Sequence, residues 1–249
     1  MRIIGAGWTD IGLCRRTNED SFGVVQEGRD VERQGPCYIV CDGLGGAQAG
    51  EVASREAVDV FAALWFSPEV TAEDATKRLR RVVQEVNTAV YRLSISSDEL
   101  SGMGTTLVAL VPHGDRVHIA NVGDSRCYRM RGTMLTQLTT DHTMAAEMVR
   151  EGLLDPAYAR TVSERNILTR AVGTSARVEV DVLSETLMPG DRYLLCSDGL
   201  WGSIPEEELG LQLQGGSPED TAHRLVDLAN SYGGPDNSTA VVVDVQVQD

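Results

Sequence analysis

Tyr38-Ile39-Val40-Cys41-Asp42-Gly43-Leu44-Gly45-Gly46 begins as an apolar run of strand character and breaks into an Asp followed by three glycines in four residues. Residues 48–65 then read as a helix, with Val52, Ala53, Ala57, Val60, Phe61 and Leu64 on one face at a period near 3.6. A carboxylate at the end of a buried strand, beside backbone that only glycine can shape, is costly unless a cation partners it. That cation is a metal or an Arg. The competing reading is a tight strand-to-helix turn in which Asp42 only caps.

Outward from this stretch the period changes in blocks. Short strands are expected at residues 3–9 and 21–26, flanking the polar loop Arg15-Arg16-Thr17-Asn18-Glu19-Asp20. A second helix opens at Thr71, with Asp74 at capping-box spacing, and buries Leu79, Val82, Val83, Val86, Val90 and Leu93. Residues 104–138 run at period two in four strands broken by Pro112-His113-Gly114-Asp115, Gly123-Asp124 and Arg131-Gly132. These breaks are turn chemistry, so the region reads as an antiparallel meander. A helix is expected over 140–152, and 155–166 is polar with weak periodicity. Strands follow at 178–184 and 192–196, helices at 205–213 and 218–230, and a closing strand at 238–247. Ser217, Pro218 and Asp220 mark the start of the last helix. Strands and helices in blocks define an α+β class with two packed, mainly antiparallel sheets.

Composition narrows the function. The 249 residues carry 42% hydrophobic content and show no linker or repeat, which predicts one domain over 1–249. A net charge of -15 argues against nucleic acid and against an anionic membrane surface. No signal region or bilayer-length apolar run is present. The five cysteines (Cys14, Cys37, Cys41, Cys127, Cys196) include no C-x-x-C pair, which predicts reduced thiols and a cytoplasmic setting.

The strand-end Asp recurs. Asn18-Glu19-Asp20 opens a strand. Leu194-Leu195-Cys196-Ser197-Asp198-Gly199 closes one in the manner of Asp42. Gly234-Pro235-Asp236-Asn237 leads into the last strand, and Asn121-Val122-Gly123-Asp124 stands at a hairpin. Any single Asp-Gly is most often a turn. Five carboxylates on strand ends of a sandwich converge on one rim, where they repel and raise one another's pKa unless cations neutralise them. All-oxygen ligation suits Mg²⁺ or Mn²⁺ rather than zinc or copper. His113, His118, His142 and His223 form no ligand pair.

Arg15-x-x-Asn18-Glu19-Asp20-Ser21, Asp42-Gly43-Leu44-Gly45-Gly46, Gly104-Thr105-Thr106, Val122-Gly123-Asp124-Ser125-Arg126, Leu138-Thr139-x-Asp141-His142, Leu195-Cys196-Ser197-Asp198-Gly199-Leu200 and Gly234-x-Asp236-Asn237 together resemble the motif series of the PP2C (PPM) family of metal-dependent protein Ser/Thr phosphatases, in its compact bacterial form. The resemblance implies an αββα sandwich, two packed antiparallel sheets flanked by helices. It also implies a binuclear Mg²⁺ or Mn²⁺ centre that activates a water for in-line attack on phosphorus, with no phosphoenzyme. By position, Asp42 is implied as the bridging carboxylate and Gly43 as a carbonyl ligand. Asp20 is implied as ligand of the second ion, with Glu19 acting through a water. Asp198 and Asp236 complete the first ion's shell, Asn237 supports it, and Asp124 with Asp198 forms a third, weaker site. Arg15 is implied as the phosphate clamp, its neighbour Arg16 being the alternative, because a planar guanidinium suits bidentate contact.

Asp141 and His142 are expected to tie a loop to the sheet, and Arg126 to pair with a neighbouring carboxylate. Residues 141–166 correspond to the mobile flap. Animal and plant members carry Asp-Gly-His where this chain has Leu44-Gly45, and Ala47 replaces a further His, so the source of the leaving-group proton is open. The resemblance implies a monomer acting on phosphorylated proteins, with a bacterial Ser/Thr protein kinase as its counterpart. The competing function is a non-catalytic phosphoprotein-binding relative, which would be expected to have lost metal carboxylates. A metal-dependent nuclease shares the carboxylates but fails on charge.

Overall fold

A computed structural model of the chain describes residues 1–45, 49–67, 74–159 and 161–247. Strands β1 (Arg2–Asp10) and β2 (Asp20–Val25) precede a short helix α1 (Arg29–Gln34), β3 (Cys37–Leu44), and the long helices α2 (Ala49–Trp65) and α3 (Ala75–Ser94). The expected meander over 104–138 forms β4 (Gly104–Thr105), β5 (Leu107–His113), β6 (Arg116–Val122), β7 (Arg126–Arg131) and β8 (Met134–Gln137), but not as one meander: β5 pairs with β6 and β7 with β8, and the two hairpins belong to different sheets. The chain ends with α4 (Met144–Arg150), β9 (Asp181–Thr186), β10 (Arg192–Cys196), α5 (Asp198–Trp201), α6 (Glu206–Gln212), α7 (Pro218–Ser231) and β11 (Ser238–Gln246).

One sheet runs β1-β11-β10-β7-β8 and the other β2-β3-β5-β6-β9, with β4 appended to β3. Every strand pair is antiparallel. Three apolar layers show how the sheets stack. Between them lie Tyr38, Val40, Leu110, Ile119, Tyr193, Leu195 and Val243. Alternate residues of β3 (Ile39, Cys41) pack outward against Phe61, Trp65, Leu79, Val83 and Val90 of α2 and α3. Leu194, Tyr128 and Val242 pack outward against Leu209, Leu225 and Val226 of α6 and α7. The period of two in each strand thus feeds both a sheet–sheet and a sheet–helix layer, giving the expected αββα sandwich.

Several local expectations shift. The second helix begins later than Thr71, which lies outside the described residues. Asp74 is itself the cap, accepting from the amides of Thr76 and Lys77. The strand expected from Val178 starts at Asp181, because Gln84 and Arg80 of α3 take the carbonyls of Val178 and Val180 before any strand can. The helix expected over 140–152 is shortened to α4, capped by Thr143, because residues 141–143 are spent on contacts to the sheet. The start of α7 is as read, with Ser217 accepting from the amide of Asp220. Among the described residues no helix is long and apolar enough to cross a membrane.

Candidate active site

Strand pairing brings the carboxylates together. In the β2–β3 ladder Asp20 stands directly opposite Asp42, a placement that is unfavourable for two like charges. β10 ends at Cys196, so Asp198 opens α5 at the same rim. Asp236 and Asn237 enter the rim just before β11, and Gly123–Ser125 turn between β6 and β7. Arg15, Glu19, Asp42, Gly43, Asp124, Asp198, Asp236 and Asn237 line one cleft of about 410 Å³, to which Arg165, Asn166 and Leu168 also contribute.

Close backbone approach makes two of the glycines obligatory. A Cβ on Gly43 would lie 2.2 Å from the Gly50 carbonyl and 2.6 Å from that of Glu19, whose oxygen already accepts from the Gly43 amide at 3.0 Å. A Cβ on Gly199 would lie 2.0 Å from the Asn237 carbonyl. The Asp42 backbone is fixed by Thr106. Its amide donates to Thr106 Oγ1 at 2.9 Å and its carbonyl accepts from the Thr106 amide at 2.8 Å.

Glu19 and Asp20 stand differently toward the cleft. Glu19 lines the cleft, whereas Asp20 is 6% exposed and lies beneath it. Asp20 Oδ2 accepts from Ser197 Oγ and Thr239 Oγ1, both at 2.6 Å, while Oδ1 is buried without a partner. Asp20 pairs with Asp42 in the ladder, so its side chain lies on the same face of the sheet, held deeper by the two hydroxyls, while Glu19 stands just before the strand. Asn237 lines the cleft and braces it from the side. Its amide group donates to the carbonyls of Ile11 and Thr17 and its Oδ1 accepts from the Glu19 amide, so both ends brace the loop that carries Arg15 and Glu19. Arg15 reaches the cleft and Arg16 is not among its lining; the Arg15 guanidinium bonds Asp236 Oδ2 at 2.6 Å. Ala47 lies outside the described residues. Ser197, Thr239 and Thr106 escaped the sequence reading, although two of them stand inside motifs quoted above.

Burial, then mutual repulsion, raises the carboxylate pKa values. Asp42 is held well above the ordinary range by burial and by Asp20, Asp198, Asp124 and Asp236. Asp20 is pushed up to about 7 by burial, against the pull of the two hydroxyl donors. Asp124 is raised by burial and by Asp198 and Asp141, and Asp198 by burial and Asp236. The chemistry of this donor set fits a hard divalent cation. Every candidate ligand is an oxygen, the buried carboxylates raise one another's pKa, and Asp20 Oδ1 is an orphan acceptor. The cage is nevertheless open: among the described residues no three His, Cys, Asp or Glu side chains are gathered closely enough to hold an ion.

Behind the cleft, Arg126 chelates Asp141 (2.7–3.2 Å) and lies 3.5 Å over the Trp201 ring, whose Nε1 donates to the Asp124 carbonyl at 3.0 Å. His142 is buried, and burial lowers its pKa. Asp141 and His142 therefore tie the loop after β8 to the sheet.

The protein phosphatase 2C family profile matches residues 16–215. A serine/threonine phosphatase stp of Listeria monocytogenes is 41% identical over 239 residues, covering 95% of this chain and 93% of that protein. The crystal structure of the Mycobacterium tuberculosis serine/threonine phosphatase PstP/Ppp is 36% identical and superposes with a TM-score of 0.87 over 98% of this chain and 99% of that one. The PstP catalytic domain in complex with two manganese ions, also 36% identical, gives a TM-score of 0.85 over the same shares. A profile match across most of the chain, with a relative 41% identical over nearly the whole length of both, leaves one assignment: the chain belongs to the protein phosphatase 2C family.

Proposed function

We propose that this protein is a metal-dependent phosphatase that hydrolyses phosphoserine and phosphothreonine on proteins. The observation that carries the reading is the single cleft in which Asp42, Asp198, Asp236 and Glu19 surround an acidic floor beneath Arg15. Asp42 would serve both ions, with Asp198 and Asp236 holding one and Glu19 and the Gly43 carbonyl the other. Asp124 with Asp198 would hold a third, weaker ion. Asp20 is the buried support that orders Ser197 and Thr239. Mn²⁺ or Mg²⁺, when bound, supplies charge neutralisation and a water that is nucleophilic at neutral pH.

The chain's own residues do the rest. Arg15 presents a fork of N–H donors to phosphate oxygens, a geometry that Lys lacks. No Cys or His is among the residues lining the cleft, and the thiol nearest Asp42, Cys41, is pushed far up by burial. Attack by water with no covalent intermediate follows, and the leaving oxygen takes its proton from a cleft water. A non-catalytic relative would have lost ligands, and every carboxylate of the series is in place.

One domain over 1–249, with 141–166 as its flap, acts as a monomer in the cytoplasm and opposes a Ser/Thr protein kinase. The five unpaired cysteines support a reducing setting, and the Listeria and Mycobacterium relatives support the substrate class. The test is hydrolysis of a phosphothreonine peptide with Mn²⁺, with and without excess chelator. Turnover that survives the chelator would sink the reading.

A further inference from the structure

His142 holds both backbone groups of Gly123. Its amide donates to the Gly123 carbonyl at 3.0 Å, and the Gly123 amide donates to His142 Nδ1 at 3.1 Å. A backbone N–H can only donate, so Nδ1 is bare and, in the neutral ring, Nε2 carries the proton. Nε2 faces Asp181 Oδ2 at 3.2 Å, and Arg170 closes on the other oxygen of Asp181 at 2.9 Å. The ring is therefore fixed in tautomer and orientation from its outer side.

The held residue matters for what it touches next. Gly123 has φ +101°, and a Cβ there would lie 2.7 Å from Thr106 Cγ2. Thr106 is the residue that fixes both backbone groups of Asp42, and its hydroxyl bonds Ser125 at 2.6 Å. The turn carrying Asp124 is thus packed between His142 and Thr106. His142 also marks the flap root, since its carbonyl accepts from Thr169 and Thr143 bridges Leu168. It is 5% exposed and is not among the residues lining the cleft, so it touches no reacting atom.

We propose that His142 is a positioning residue: gripping Gly123 from the root of the flap, it sets where the Asp124 carboxylate stands relative to Asp42. The proposal rests on the phosphatase reading of this cleft. Groups that orient ligands through a hydrogen bond typically matter by about 10–100-fold in metal affinity or activity.

The test uses His142→Leu, which keeps bulk without an acceptor, and His142→Asn, whose Oδ1 can stand where Nδ1 stands. In the metal-free full chain the Gly123 amide is expected to exchange slowly in wild type and in His142→Asn, and fast in His142→Leu. With Mn²⁺, His142→Leu is expected to lower kcat about 10–100-fold with KM little changed, and His142→Asn to restore most of it. His142→Leu combined with Asp124→Ala is expected to be no worse than Asp124→Ala alone, because both remove the same function. Losses that multiply in the double variant, or a His142→Leu enzyme with wild-type kcat, would overturn the proposal. Should His142→Leu not fold, His142→Gln, which displaces the acceptor from Gly123, replaces it with the same expected outcomes. A wild type without Mn²⁺-dependent turnover overturns the phosphatase reading instead, and the Gly123 exchange rates still decide whether the grip exists.

Discussion

Arg15 and Asp236 form an ion pair at 2.6 Å across the mouth of the cleft. The residue suited to hold phosphate is thereby joined to a residue suited to hold an ion. With side chains 48% and 30% exposed, the pair contributes at most about 1 kcal/mol to stability. On the reading proposed above its weight is functional, because a cation held at Asp236 would free the Arg15 guanidinium for phosphate.

Arg15→Ala is therefore expected to leave Tm nearly unchanged. It should lower kcat/KM about 10–100-fold, the scale of a lost charge-assisted hydrogen bond, mainly through KM. Arg15→Lys should recover only part, because an ammonium lacks the planar fork. Calorimetric Mn²⁺ titration of Arg15→Ala should show unchanged or tighter binding. Weaker binding would contradict competition for Asp236.

The buried acid pair gives a pH dependence with a definite sign. The folded pKa of Asp20 is raised to about 7, above an unfolded value of about 3.9. Its contribution to metal-free stability is fully present below the unfolded value and is lost as pH rises through the folded one. In chelator, wild-type Tm minus that of Asp20→Asn is expected to fall between about pH 4 and 7 and then level off. Mn²⁺ should restore more Tm at pH 8 than at pH 5. A Tm difference that does not change with pH would show that Asp20 is not the group responsible.

Much of this was legible in the chain. Each strand-end Asp is read from an apolar run broken by Gly, and the antiparallel blocks fix which ends share a rim. What stayed hidden are contacts between residues far apart in sequence. Nothing near Asp20 tells that Ser197 and Thr239 will hold its carboxylate, or that Asn237 will brace the Glu19 amide. That Glu19 rather than Asp20 would line the cleft could not be read either, because Glu19 lies just before β2 and the first residue of a strand has no reliable phase. Helix α1 has too few apolar positions to show a period. The start of β9 depends on Gln84 and Arg80, about a hundred residues away.

Gly43→Ala and Gly199→Ala each place a methyl about 2 Å from a backbone carbonyl that cannot rotate away. Overpacking of this kind costs about 1–3 kcal/mol, which is roughly 2–12 °C in Tm for a chain of this size. Because the shift moves Asp42 or Asp198, the loss of Mn²⁺ binding should exceed what the Tm change suggests. Calorimetry on the folded fraction at 15 °C separates the two effects. Wild-type Mn²⁺ affinity in either variant would show that the rim tolerates displacement.

Ser197→Ala and Thr239→Val each remove one of the two donors on Asp20 Oδ2, leaving an acidic group that already has an unpartnered Oδ1. An unsatisfied buried polar group costs about 1–3 kcal/mol, so each variant is expected to lose stability above pH 7, where Asp20 is charged. The loss should shrink below pH 5, where the protonated carboxyl needs fewer donors. Since these hydroxyls were the groups pulling the Asp20 pKa down, either variant should also move the midpoint of the pH–Tm curve upward. The double variant should cost less than the sum of the singles, because the carboxyl then stays protonated across the range. Thermal melts in chelator from pH 4 to 8.5 check all three, and a midpoint that stays in place would assign the titration to a different carboxylate.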